Sequence, residues 1–148
     1  NSMTKTIVAP IKSDMLVIKL ATQMMAREEM PPVEIVKYIM NMSGDDPIQC
    51  GFFIWDIQDE KIGYSPNFKS TIGFENEDPQ QFMDSMQSNE LQKFVHTVQE
   101  NIGHKNKSFF SIDVKYATNL GECIELLCVS TVIYLGNKTF VICTHYQN

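Results

Sequence analysis

Eight residues a third of the way along the chain, Cys50-Gly51-Phe52-Phe53-Ile54-Trp55-Asp56-Ile57, are apolar on both alternating faces. Successive side chains of a strand point to opposite sides of its sheet, so a strand with one wet face alternates apolar with polar. This run does not, and it predicts a strand covered on both sides. Phe53 and Trp55 project one way, Phe52 and Ile54 the other. A chain that buries both faces needs one layer of cover for each, which points to sheet and helices in stacked layers.

Two amphipathic segments precede the run. From Ser13 to Met30, Met15, Ile18, Thr22 and Met25 recur at helical spacing, with Leu16, Leu20 and Met24 on an adjacent stripe. Ser13 or Asp14 caps the start. Pro31-Pro32 stops this helix and opens the next, because proline suits a first turn and breaks an interior. Val33 to Met42 repeats the pattern through Ile35, Val36, Ile39 and Met40, and Gly44 ends it. The break at Asp45-Asp46-Pro47 divides the chain into 1–13, read as a tag remnant ahead of Met3 and a flexible N-terminus, a helical extension over 14–46, and a main domain over 47–148. The extension is expected to cover Phe52 and Ile54 through Met15, Ile18, Thr22 and Met25, either as a lid within one chain or across a homodimer.

Beyond the run, Gln58 to Lys61 is a polar turn and Ile62-Gly63-Tyr64 a short partner strand. Ser65-Pro66 reads as cap and first residue of a helix through Phe68 and Ile72 to Gly73. Asp78-Pro79 opens another, with Gln81 in capping-box position and Phe82, Met83 and Met86 on its apolar side. Ser88 to Gly103 is the longest helix of this domain, its apolar arc formed by Leu91, Phe94, Val95, Val98 and Ile102. Strands follow over 108–116, 123–134 and 139–146, turned at Asn119-Leu120-Gly121 and at the hairpin signal Gly136-Asn137. The expected fold class is α+β: five strands, the last three an antiparallel meander, with the inserted helices gathered on one face.

Composition narrows the function. The 148 residues suit a single domain with an appendage. Twelve Lys and Arg against 18 Asp and Glu give a net charge of −6, and the basic residues are scattered, so this segment has no face for nucleic acid. No apolar stretch is long enough to span a membrane and the first 25 residues lack a secretory signal pattern, so a soluble, cytoplasmic setting is expected. Cys50, Cys123, Cys128 and Cys143 form no C-x-x-C pair and are read as buried free thiols rather than metal ligands.

A catalytic set is missing. His96 projects about 140° from the centre of its helix's apolar arc at 100° per residue, His104 follows Gly103 in a loop, and His145 lies near the end of the last strand. Solvated or capping roles are expected for all three. The seven glycines are dispersed singly, so there is no phosphate-cradling loop, and the carboxylates at 59, 60, 75, 77 and 78 lie at turns and caps. What remains is an aromatic and methionine-rich interior. Between a curved sheet and short helices such an interior either forms a small-ligand cavity, expected to be lined by Phe53, Trp55, Phe68, Phe82, Phe94, Val95 and Ile112, or packs solid.

These residues resemble a known family. Gly51-Phe52-Phe53-Ile54-Trp55-Asp56-Ile57, then Tyr64-Ser65-Pro66-Asn67-Phe68, then Ile72-Gly73-Phe74, is similar to the opening of a PAS domain, with its W-D strand, its Y-S-P strand end and its G-F helix end. The helix from Ser88, the strand starting Phe110-Ser111-Ile112, the Gly121-Glu122 turn and the Gly136 hairpin continue the likeness over 47–146. Two places depart from it. Met86-Gln87-Ser88-Asn89 stands where H-P-D-D is usual, and Thr144-His145-Tyr146-Gln147 where D-I-T often closes the last strand.

The resemblance implies a five-stranded antiparallel PAS-like (profilin-like) sheet with helices on one face. It implies a sensory and dimerisation module that binds a small ligand or partner and has no catalysis of its own. It also implies a C-terminal output domain absent from this chain: a histidine kinase, a helix-turn-helix regulator or a cyclic-nucleotide enzyme. The cofactor is left open. No cysteine lies between Gly51 and Glu122 to serve as the reactive thiol of the flavin type, and the outward angle of His96 disfavours haem. The rival expectations are a ligand-free interaction domain, a haem sensor, and an enzyme of a related α+β fold.

Overall fold

A computed structural model of the chain describes residues 5–7, 12–27, 30–43, 51–75, 78–103, 109–135 and 137–147. A three-residue strand, β1 (Lys5–Ile7), leads into helices α1 (Lys12–Arg27) and α2 (Pro32–Ser43). Strands β2 (Phe52–Asp56) and β3 (Lys61–Tyr64) are followed by α3 (Pro66–Ile72), α4 (Pro79–Asp84) and α5 (Ser88–Gly103). The chain ends in β4 (Phe109–Ala117), β5 (Cys123–Leu135) and β6 (Lys138–Gln147). All pairings are antiparallel, in the order β1-β4-β5-β6-β2-β3. The five expected strands are all present. β1 adds a sixth, in a segment the sequence marks as patternless, with Lys5 opposite Ser111 and Ile7 opposite Phe109. Three residues are too few to display an alternation, so the pairing edge of β4, not local pattern, makes this strand.

Register sorts the side chains into two layers. One row runs Phe53–Cys143–Ser130–Phe110 across β2, β6, β5 and β4, and a neighbouring row runs His145–Cys128–Ile112. These face α3, α4 and α5 and form the inner core with Tyr64, Phe68, Ile72, Phe82, Phe94 and Val98. The opposite row Ile54–Ile142–Thr131 faces α1 and α2.

On that outer face Val17, Leu20, Ala21, Ile35, Val36 and Ile39 pack against Phe52, Ile54, Phe140 and Ile142. The two-faced strand is therefore covered within one chain, and full burial of Phe52 and Ile54 contributes about 1.5–3 kcal/mol for each side chain. The stripe of α1 turned inward is Val17, Leu20, Ala21 and Met24. Ile18, Thr22 and Met25, expected to lead the contact, are half-buried beside it, and the Met15 side chain lies outside the described residues. The start of α2 sits on β3 because position 63 is glycine: a Cβ there would stand 2.6 Å from the Pro32 carbonyl oxygen.

Short polar contacts pin the inner helices. Ser65 exchanges hydrogen bonds with β2, donating its N–H to the Phe52 carbonyl at 2.9 Å and accepting the Phe52 N–H on Oγ at 2.9 Å. The same Oγ accepts from the Phe68 N–H at 3.4 Å and so caps α3. Asp78 caps α4 by accepting the Gln80 N–H at 3.0 Å, and its carbonyl accepts the Tyr64 hydroxyl at 2.9 Å. On β4, the Lys115 N–H donates to Glu90 Oε1 at 3.2 Å and the Ala117 N–H to the Ser85 carbonyl at 2.6 Å. Helices α4 and α5 thereby satisfy donors on a sheet edge that would otherwise invite pairing with another chain.

Candidate functional site on the inner face of the sheet

Phe53, the second residue of β2, is the hub of the inner core. Its ring lies 4.9 Å from Phe82, 5.9 Å from Phe68 and 6.4 Å from Phe94, and Phe82 stands 6.0 Å from Trp55. These spacings and the tilted planes are those of aromatic side chains in direct contact. Of the residues named from sequence as cavity lining, Phe53, Phe68, Phe82, Phe94 and Ile112 are buried together, and Trp55 packs against them half-buried. Val95 is not brought in: it is half-buried on α5, while Leu91, Phe94, Val98 and Ile102 face this core.

A polar seam runs through this aromatic layer. His145 is fully buried, contrary to the solvated role expected for it. β6 extends to Gln147, so His145 lies within the sheet, with its backbone N–H on the Gly51 carbonyl at 2.9 Å. Its Nε2 is 2.9 Å from the hydroxyl of Tyr116, which is also fully buried. The imidazole stacks 4.5 Å from Phe68 and 5.5 Å from Phe53. Beside it, Ser130 Oγ bridges Cys128 Sγ at 3.2 Å and Cys143 Sγ at 2.8 Å. The available sequence signal was alternation: Val141, Cys143 and His145 share one face of β6. Only the pairing of β6 with β2 reveals that this face is the inner one.

The electrostatics follow from burial. Tyr116 is pushed well above the ordinary phenol value by burial, and by Cys128, Cys143 and Tyr64 nearby, so it keeps its proton. Burial also opposes ionisation of Cys128, but hydrogen bonding to Cys143 and the adjacent His145 imidazole outweigh it and bring that thiol well below its usual value. Cys143 moves well up, through burial first and then its neighbour Cys128, since two touching thiols do not both ionise. Two buried nitrogens, His145 Nδ1 and Trp55 Nε1, have no hydrogen-bond partner. A buried polar group left unmatched costs about 1–3 kcal/mol.

The buried carboxylates lie elsewhere. Asp56 is 3.5 Å from Lys138 Nζ and accepts the Asp59 N–H at 3.1 Å, and Glu90 is 2.9 Å from Lys93 Nζ. His96 is exposed on α5, 2.7 Å from Glu100, as its helical angle predicts. His104 and Cys50 lie outside the described residues. Cys128 and Cys143 are buried free thiols as expected, whereas Cys123, at the first position of β5, is exposed. Among the described residues no group of three His, Cys, Asp or Glu side chains is set to hold a metal, and no helix is long and apolar enough to cross a membrane.

With sheet order and site in hand, the chain matches solved sensory domains. No family model and no curated protein matches the sequence. An RNA-binding light-oxygen-voltage receptor superposes with a TM-score of 0.60 at 11% identity, over 99% of this chain and 38% of that one. A sensory box histidine kinase/response regulator from Burkholderia thailandensis E264 gives 0.54 at 10% identity, over 73% and 85%. The photo-excited blue-light photoreceptor Vivid gives 0.52 at 13% identity, over 88% and 94%. The chain has a PAS-like α+β fold, preceded by a helical pair that closes the outer face of its sheet.

Proposed function

We propose that this chain is a PAS-type sensory module of a cytoplasmic signalling protein. It binds a small molecule or a partner on the inner face of its sheet, works as a homodimer, performs no catalysis itself and passes a conformational change to a C-terminal output domain. The observation that carries this reading is the fully buried Tyr116–His145 pair, with an unmatched nitrogen, inside a core built of aromatic and aliphatic side chains. Natural cores seldom leave such an atom unmatched unless something else meets it. Strand β6 offers the route outward: His145 and Cys143 face the inner core while Ile142 faces α1 and α2. A ligand that binds one arrangement of the inner core better than another shifts the population of both layers together.

A ligand-free interaction domain is the second reading, favoured by the direct ring contacts around Phe53. Native mass spectrometry of the purified chain, together with light scattering after gel filtration, separates the two. A co-purifying small molecule on a dimer is the expected result, and a ligand-free monomer overturns the sensory proposal. A haem sensor is opposed by the exposed, carboxylate-paired His96, and protein that stays colourless after haem addition would end it.

A further inference from the structure

Two thiols and a hydroxyl form a continuous polar chain inside the sheet. Ser130 Oγ lies 3.2 Å from Cys128 Sγ and 2.8 Å from Cys143 Sγ, and all three residues are buried. Strand register brings them together. Cys128 is opposite His145 and Ser130 is opposite Cys143, so the two cysteines are diagonal neighbours on the inner face of β5 and β6. The His145 imidazole completes the group, because it interacts with the Cys128 thiol and favours its thiolate. A cysteine that only fills space needs none of these partners. A thiol beside a base and a second thiol is the set that disulfide formation requires.

We infer that Cys128 and Cys143 are a dithiol that a hydroperoxide oxidises to a disulfide between β5 and β6. Its role as a signalling input rests on the sensory reading above. Cys128 passes its proton to the imidazole, and the thiolate attacks one peroxide oxygen and breaks the O–O bond. The hydroxide that leaves takes this proton and departs as water, and Cys128 becomes a sulfenic acid. Cys143 then attacks the Cys128 sulfur. The S–S bond forms, the S–O bond breaks, and the hydroxyl leaves with the Cys143 proton as a second water. Two thiols and one hydrogen peroxide thus give one disulfide and two waters, and the peroxide gains the two electrons the sulfurs lose. Full burial selects the oxidant. Hydrogen peroxide is uncharged and little larger than water, so a brief local opening admits it and excludes bulkier reagents.

Closing the bond moves the strands. Diagonal neighbours on paired strands stand about 7–8 Å apart, and a disulfide bridges Cα atoms no more than about 7 Å apart without backbone movement. Oxidation therefore draws β5 and β6 together and breaks the Ser130 bridge. Ile142, next to Cys143, faces the opposite way and packs with α1 and α2, so the movement reaches the outer layer.

The full chain is treated with hydrogen peroxide, quenched with catalase, denatured, alkylated and mapped by peptide mass spectrometry. A peptide linking Cys128 to Cys143 is expected, lighter by two hydrogens and separated again by dithiothreitol. In Cys143→Ala, Cys128 should stop at the sulfenic acid and be trapped by dimedone. If that variant does not fold, the wild-type map decides alone. Hydrogen exchange of the oxidised chain should change in α1 and α2 as well as in β5 and β6. Cys128 and Cys143 left as thiols, linked to other cysteines, or over-oxidised without a mutual bond overturn the inference while the sensory proposal stands. A disulfide with unaltered exchange in α1 and α2 overturns its role as an input. The sensory proposal falls only with the ligand-free monomer described above, a result that leaves the disulfide chemistry in place.

Discussion

Tyr116 and His145 meet inside the protein, the phenol oxygen 2.9 Å from Nε2, with both side chains fully buried and placed on strands β4 and β6 that are separated in the sheet by β5. The contact ties two non-adjacent strands of the sheet by side chains alone. It also holds the only described buried histidine among aromatic rings.

Removing both partners should therefore cost less than the two single losses added together. Tyr116→Phe leaves Nε2 without its hydroxyl, and a loss of about 1–3 kcal/mol is expected in urea denaturation. The double variant Tyr116→Phe/His145→Phe should lose less than the sum of the single variants, since no unmatched nitrogen remains. Strict additivity would show that the pair is not energetically coupled.

Position 63 tests how the helical pair docks. In Gly63→Ala the new methyl meets the Pro32 carbonyl at 2.6 Å, so α2 has to move away from β3. Overpacking of this kind costs about 1–3 kcal/mol. Hydrogen exchange should accelerate over 17–39 while β4, β5 and β6 keep their protection. Uniform acceleration through the whole chain would contradict a separable outer layer.

Glu90 ties stability to acid. Burial raises its pKa, but Lys93 and the Lys115 N–H more than reverse this, leaving it below the ordinary value of 4.5. A carboxyl depressed in the folded state stabilises the protein above its unfolded pKa, and that contribution vanishes as pH falls through the folded value. Glu90→Gln should thus be less stable than wild type at pH 7, with the gap closing as pH falls through the folded value. A gap that persists once the carboxyl is fully protonated would locate the effect in packing instead of charge.

Thiol reactivity should follow burial. A maleimide pulse on native protein, mapped by mass spectrometry, is expected to label Cys123 and to spare Cys128 and Cys143 until denaturant is added. Rapid native labelling of Cys128 would mean that the inner core opens far more readily than its burial implies.

The helix starts at Ser65 and Asp78, the alternation along β4 and the doubly apolar run of β2 are local features. Each depends on residues a few positions apart, so the five-stranded α+β layout is legible from sequence. The aromatic cluster around Phe53 is legible for the same reason, since periodicity states which side chains share a face. Val95 shows the limit, because it borders the apolar arc and the approach angle of α5 leaves it half-buried.

Sequence alone thus determined where strands and helices form, and that β2 needs two covers. Only the tertiary structure decided what supplies them. α1 carries apolar residues on two adjacent stripes, so its rotation is set by fit against Phe52 and Ile54, and Val17, Leu20, Ala21 and Met24 are the residues that turn inward. β1 exists because the edge of β4 pairs with it. His145 becomes a core residue through long-range pairing, with β5 on one side and β2 on the other. Periodicity assigns a side chain to a face, and strand order determines whether that face meets water or the inside of the protein.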